Sequence, residues 1–169
     1  MAFENLHAHW RMPYVAAPSS AKEEKPHLFA SIPEELDERS SLLIHRGSLS
    51  YLVMNRYPYN AGHLLAVPYR EVPDLEDLSP AEFTDLHQTI LFGKKLLRHA
   101  LAPHGFNIGY NLGSAAGAGI PRHLHCHIVP RWNGDTNFMP VVADTRVLPI
   151  AMESMWEVLR KALPEITNS

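Results

Sequence analysis

The pattern of apolar and polar positions divides the chain into short strands and two helices. Between Ser41 and Val67, the runs Leu42–His45, Leu49–Met54 and His63–Val67 have the length and composition of strands. They are separated by Arg46-Gly47-Ser48 and Pro58-Tyr59-Asn60-Ala61-Gly62, both made of turn formers, which predicts an antiparallel meander. Ser79, Pro80 and Glu82 form a helix-start signature: a capping hydroxyl, a proline at the first helical position and a capping-box acid. Phe83, Leu86, Ile90, Gly93, Leu97, Ala100 and Leu101 follow at helical spacing, predicting one buried stripe that ends near Pro103 and Gly105. A fourth strand, Phe106–Asn111, leads into the small-residue loop Gly113–Gly119. A fifth spans Arg122–Pro130, where His123, His125 and His127 alternate with Leu124, Cys126 and Ile128. Met152, Met155, Trp156, Leu159 and Leu163 predict a short closing helix bounded by Pro149 and Pro164. Residues 1–40, punctuated by Pro13, Pro18, Pro26 and Pro33, read as an N-terminal arm with a short helix around Pro33–Arg39. Residues 41–169 remain as one domain of the α+β class, with an antiparallel sheet of about five strands, one long helix and one short one.

Composition narrows the function classes. With 46% hydrophobic and 20% charged residues, the 169-residue chain has the profile of a globular domain. A formal charge of -3, with 15 scattered Lys and Arg, provides no basic surface for wrapping nucleic acid, so an anionic partner is expected to be small. Cys126 is the sole cysteine, which excludes an intramolecular disulfide and suggests a reducing compartment. It is expected to be a small core residue, since it alternates with the histidines. Glu4, His7, His9, Trp10 and Arg11 interrupt any signal-peptide core, and no later segment reaches membrane length, so a cytoplasmic protein without membrane contact is expected.

The histidine row is the candidate chemistry. Side chains two apart on a strand share one face, so the imidazoles of His123, His125 and His127 are expected about 6.5 to 7 Å apart, with Leu124, Cys126 and Ile128 turned to the core. Two uses of such a row stay open on spacing alone. Imidazoles from alternate strand positions can hold zinc with a third ligand. A neutral imidazole can instead attack phosphorus and form a covalent phosphoramidate, with its neighbours sharing charge and protons. The Gly113–Gly119 loop, four residues before His123, tilts the choice towards phosphate, because small residues let backbone N–H groups approach an anion. His45, His87, His99 and His104 read as solvated or structural.

The run His123-Leu124-His125-Cys126-His127-Ile128-Val129 resembles the signature of the histidine triad superfamily of nucleotide hydrolases and transferases. The stretch Asn55–Pro68 is similar to that family's nucleotide-binding strand pair, and Asn111-Leu112-Gly113 with Ala116-Gly117 to its phosphate loop. Residues Pro130–Phe138 resemble the branch containing diadenosine tetraphosphate phosphorylases, also called ATP adenylyltransferases, more than the fragile-histidine-triad hydrolases. The resemblance implies a histidine triad fold that pairs through its sheet or long helix into a homodimer. It also implies that His125 is the nucleophile, that His127 bonds a phosphate oxygen, that His123 faces the leaving group and that His63 supports the row. Asn55 would meet the ribose, while Asn111 with Gly113, Ser114, Gly117, Ala118 and Gly119 would hold phosphate oxygens. Arg131 is open as a phosphate ligand or a surface or dimer residue. The implied substrates are diadenosine polyphosphates, with inorganic phosphate as co-substrate. Hydrolysis of dinucleoside polyphosphates or nucleoside phosphoramidates is the alternative, and a nucleotide-sensing binding protein or a metalloenzyme would be of a different class.

Two departures from that family matter. Many relatives bind structural zinc with a Cys-x-x-Cys pair, a later histidine and the first triad histidine. Here His27-Leu28-Phe29-Ala30 and Glu71 stand in those places, so zinc is not expected. No cofactor is obligatory on this reading, and magnesium would enter only with the substrate. Four residues before the first triad histidine, hydrolytic relatives usually have glutamine and phosphorolytic ones often serine. This chain has Gly119, which leaves space for phosphate as acceptor.

Overall fold

The computed structural model describes residues 28–135 and 150–167. Strands β1 (Leu43–Arg46), β2 (Ser50–Met54), β3 (Leu64–Pro68), β4 (Gly105–Tyr110) and β5 (Cys126–Arg131) make one antiparallel sheet in the order β1-β2-β3-β5-β4. The first four begin and end within one residue of the expected runs. The fifth is shorter than expected: regular pairing starts only at Cys126, so His123 and His125 precede the strand. Strands β2 and β3 are buried along their whole length, as strands covered on both faces should be.

Helix α3 (Pro80–Leu101) covers one face; the helices before it, α1 (Leu28–Ser31) and α2 (Glu38–Ser41), are single turns. The expected capping box is present, with the Ser79 side chain accepting from the Glu82 amide and the Glu82 carboxylate accepting from the Ser79 amide. The buried stripe of α3 is Leu86, Thr89, Ile90, Gly93, Leu96 and Leu97. Phe83 was expected in that stripe and is instead 44% exposed, because it lies in the first turn, where its ring stacks on His87 at 4.1 Å. Gly93 lets the sheet approach: a Cβ there would stand 3.0 Å from Leu52 and from Ile128, which fixes the helix-facing side of β2 and β5. Leu65, which pairs with His127, and Val53, which pairs with Leu65, therefore face the other way. That second face carries the histidines.

Helix α4 (Met152–Thr167) closes the sheet edge at β1, where Trp156 Nε1 donates to the Leu43 carbonyl at 2.9 Å and Arg160 to the Ile44 carbonyl at 2.7 Å. The helix runs through Pro164, which was expected to end it. Proline removes only one amide donor in this last turn, while Leu163 and Ile166 still pack on the core and Thr167 Oγ1 bonds the Leu163 carbonyl at 2.8 Å. Around Pro33, the expected short helix is α1, a 3-10 turn at Ile32–Glu34 and α2 capped by Asp37. Phe29 and Ile32 enter the main core, and the buried Tyr51 hydroxyl donates to the Phe29 carbonyl at 2.6 Å. Trp10 and Tyr14 of the N-terminal arm, and Thr136, Asn137 and Phe138 after β5, lie outside the described residues.

Leu124, Cys126 and Ile128 are buried as their alternation requires. Burial pushes the Cys126 thiol up to about 11, which fits a core residue rather than a reactive one. Gly62, just before β3, has φ +74, and a Cβ there would meet Leu101 at 2.6 Å. Glycine thus allows α3 and the His63 loop to close on each other.

Candidate active site

His63, His125 and His127 come together on the second face of the sheet, with ring centroids 5.1 Å apart for His63–His127 and for His125–His127. The His125–His127 distance is shorter than the roughly 6.5 to 7 Å expected of one strand face; regular pairing begins only at Cys126, between these two histidines. His125 is 7% exposed, and its Nδ1 lies 2.8 Å from the His123 carbonyl. A carbonyl can only accept, so Nδ1 carries the proton and Nε2 of the neutral ring keeps a lone pair. Phe29 packs against this ring at 5.1 Å. Burial pushes the His125 pKa below the ordinary imidazole value, against the smaller opposing effect of the bond to His123.

His127 has the opposite tautomer. The Tyr59 amide donates to His63 Nδ1 at 3.0 Å, which makes that nitrogen an acceptor and leaves the proton of neutral His63 on Nε2. His63 Nε2 is 3.0 Å from His127 Nδ1, so it donates there, and the proton of neutral His127 resides on its Nε2. One imidazole of the row thus offers a lone pair and its neighbour an N–H. Asn111 Nδ2 lies 3.4 Å from His127 Nε2, and with Nε2 as donor the Asn111 amide has to turn over to present its oxygen there. Asn55 has its amide 3.4 Å from His63 Nδ1 and its Oδ1 on the Tyr57 amide at 2.9 Å. Gly109 pairs directly with His127, and a Cβ there would meet nothing within 4 Å, which leaves room beside the row.

His123 is placed differently from the expectation. It is 1% exposed, its Nε2 donates to the Pro68 carbonyl at 2.8 Å, and its buried Nδ1 has no hydrogen-bond partner among the described residues. The Phe29 ring meets it edge-on at 5.6 Å. Its backbone carbonyl, rather than its ring, reaches the site. Gly113, Ser114, Gly117, Ala118 and Gly119 form a loop at the surface around a 3-10 turn, Ser114–Ala116. Two amides close the loop on itself, Gly117 on the Ser114 carbonyl at 3.0 Å and Ala118 on Gly113 at 3.3 Å, and the turn depends on Gly117 at φ +84. Arg131 is not free for phosphate: its guanidinium forms a two-pronged bond to Asp135 at 2.6 and 2.8 Å and a third to Asn107 at 2.6 Å.

Of the residues at the relatives' zinc position, His27 lies outside the described residues, Ala30 has no ligating group, Glu71 is paired with Arg122 at 3.2 Å, and His123 directs Nε2 at the Pro68 carbonyl. Among the described residues, no group of three or more His, Cys, Asp or Glu is placed to hold a metal ion. Sequence reasoning overlooked Phe29, Tyr59, Asn60 and Asp135 as site residues. The only signal was their presence in stretches already noted for other reasons.

The HIT domain family matches residues 37–134, so the chain belongs to that family. It is 43% identical over 153 residues to the "AP-4-A phosphorylase" of Mycobacterium tuberculosis, covering 86% of this chain and 77% of that protein. It is also 37% identical over 95 residues to the "Bis(5'-nucleosyl)-tetraphosphatase [asymmetrical]" of Schizosaccharomyces pombe, covering 56% of this chain and 52% of that protein. The fold matches a Zn-bound histidine triad family protein from Mycobacterium smegmatis with a TM-score of 0.64 at 24% identity, over 83% of this chain and 95% of that one.

Proposed function

We propose that the protein cleaves diadenosine polyphosphates, the tetraphosphate foremost, by passing an adenylyl group through His125 to inorganic phosphate. The observation that carries this reading is the lone pair on His125 Nε2, freed by the Nδ1–H bond to the His123 carbonyl. In the first step Nε2 attacks the α-phosphorus, an N–P bond forms, the P–O bond to the remaining polyphosphate breaks, and ATP leaves with that electron pair. In the second, a phosphate oxygen attacks the same phosphorus, the N–P bond breaks, the lone pair returns to Nε2, and ADP is released. His127 Nε2–H faces the non-bridging oxygens in both steps and stabilises their charge. Asn111 and the Gly113–Gly119 loop hold the phosphate chain, and the Asn55 amide meets the ribose.

The relative named a phosphorylase supports phosphate as acceptor, and the one named a tetraphosphatase supports water. Labelled diadenosine tetraphosphate decides between them. We expect ADP and ATP only when phosphate is added, whereas AMP and ATP in phosphate-free buffer would establish hydrolysis. No metal enters the chemistry of these residues on this reading; magnesium accompanies the substrate.

The pH profile has a defined sign. The reactive form is the unprotonated ring, and burial holds the His125 pKa below the ordinary value of about 6.5. The acid limb of kcat/KM is therefore expected below pH 6.5, with a plateau through neutrality; a limb above 6.5 would contradict the assignment. Burial lowers His123 too, so the stability linked to both groups is present above the unfolded value and lost as pH falls through the folded ones.

A homodimer is part of the proposal. Trp156 and Arg160 cover the β1 edge, but no strand or helix pairs with the outer edge of β4 among the described residues. Ile108 on β4 and Leu91 on α3 are exposed. Sedimentation giving the mass of one chain would refute pairing. No helix among the described residues is long and apolar enough to cross a membrane.

A further inference from the structure

The motif at the end of β5, Pro130-Arg131-Trp132-Asn133-Gly134-Asp135, has no part in the chemistry above, yet its polar atoms converge on the loop that carries Tyr59. Asp135 Oδ2 accepts from Arg131 Nε at 2.6 Å, the Trp132 amide at 3.1 Å and Asn60 Nδ2 at 2.9 Å. Asn60 Nδ2 also donates to the Pro130 carbonyl at 3.1 Å, and the Asn60 carbonyl accepts the His63 amide at 3.2 Å. Asn60 is thus tied to β5 on one side and to the backbone of His63 on the other. Its neighbour Tyr59 supplies the amide that makes His63 Nδ1 an acceptor, stacks its ring on His127 at 5.4 Å with an interplanar angle of 21°, and lies tilted against His63 at 4.6 Å.

We propose that the Arg131–Asp135–Asn60 clamp is a positioning device for the His63–His127 couple. By holding the Tyr59 amide and ring in place, it makes His127 present Nε2–H, and not a lone pair, to the substrate phosphate. Without the Tyr59 donor, His63 Nδ1 would keep only the longer 3.4 Å contact with Asn55 Nδ2, and the preference for a proton on Nε2 would weaken. The couple would then divide between a tautomer that donates to phosphate and one that repels it. The clamp acts through carbonyl, amide and ring contacts and touches no reacting atom, so its three side chains are positioning residues. His125 lies outside its reach, because the His123 carbonyl sets that ring independently.

The inference rests on the proposed role of His127 as donor to phosphate. Its test has one arm that needs no substrate. Side-chain 15N spectra of the full-length protein are expected to show protons on Nε2 of His63 and His127 and on Nδ1 of His125. In Asn60→Ala, which cuts the clamp from the loop and leaves the Arg131–Asp135 pair intact, the His63 and His127 signals should move to a tautomer mixture while His125 is unchanged. kcat is expected to fall roughly 10-fold with KM within about twofold. Asp135→Asn, which keeps the shape but removes the charge, should show the same pattern more weakly. Unchanged His63 and His127 signals in both variants would overturn the inference whatever the substrate. So would a loss of kcat accompanied by an altered His125 signal, which would mean general loosening. If wild type turns over no diadenosine polyphosphate, the substrate assignment fails while the tautomer result still decides the clamp.

Discussion

Replacing His125 with Asn is expected to lower turnover of diadenosine tetraphosphate by on the order of 10⁴-fold, with binding retained. Asn can still donate from its amide to the His123 carbonyl at the place of Nδ1, so the local backbone has little reason to move. What it lacks is a nitrogen with a lone pair at the place of Nε2. His127 cannot substitute, because its inner nitrogen is engaged by His63 and its outer one carries the proton in the neutral row. The measurement is kcat by product separation, with nucleotide affinity by calorimetry. A variant within tenfold of wild type would remove His125 from the mechanism.

The second large effect concerns stability. Leu97 is fully buried on α3, and its Cδ2 stands 3.2 Å from the place of a Cβ on Gly62. It therefore fills the contact between the long helix and the turn that enters β3 at His63. Leu97→Ala leaves a void there, with an expected cost of about 3 kcal/mol and a thermal midpoint lower by roughly 9 °C for a domain of this size. Circular dichroism melting reads both. A drop under about 2 °C would mean that the helix and turn relax into the space and that the contact contributes little.

The legible features were those in which sequence neighbours determine one another. Ser79, Pro80 and Glu82 lie within one helical turn, so the start of α3 follows from four residues. The sheet could be read because burial on both faces leaves Tyr51–Met54 of β2 and the whole of β3 as apolar runs. Leu124, Cys126 and Ile128 followed from alternation. Periodicity could not show where β5 stops being a strand, since His123 and His125 keep the alternate spacing without the pairing. There the His123 ring turns inward and its carbonyl reaches His125, a role no side-chain pattern encodes. Pro164 was misplaced because local propensity gave way to tertiary packing, and Phe83 because periodicity does not show that the first turn of the helix lies outside the buried stripe. The tautomers depend on bonds between residues far apart in sequence, His63 to His127 and Asn60 to Asp135. No spacing rule connects such pairs, so Tyr59 and Asn60 read only as turn formers.

On the proposed mechanism, electrostatics keep the nucleophile of the row uncharged at neutral pH. Burial beside Phe29 disfavours the charged form of His125, and the His123 carbonyl selects which nitrogen stays bare. The two effects have different origins, one in desolvation and one in a single directed bond, and both yield a neutral imidazole with its lone pair on Nε2. Asp135 is held below the usual carboxylate range by the Arg131 guanidinium, so the clamp keeps its charge into the acid range.

The central claim is that His125 Nε2 becomes bonded to phosphorus, and trapping that bond tests it most directly. Enzyme mixed with diadenosine tetraphosphate labelled at the α-phosphorus, without added phosphate, is quenched in base, digested and mapped by mass spectrometry. The account predicts an adenylate on the peptide containing His125, attached to that ring, and its disappearance as ADP when phosphate is added before the quench. Turnover with no labelled peptide, or with the label on another residue, would contradict it.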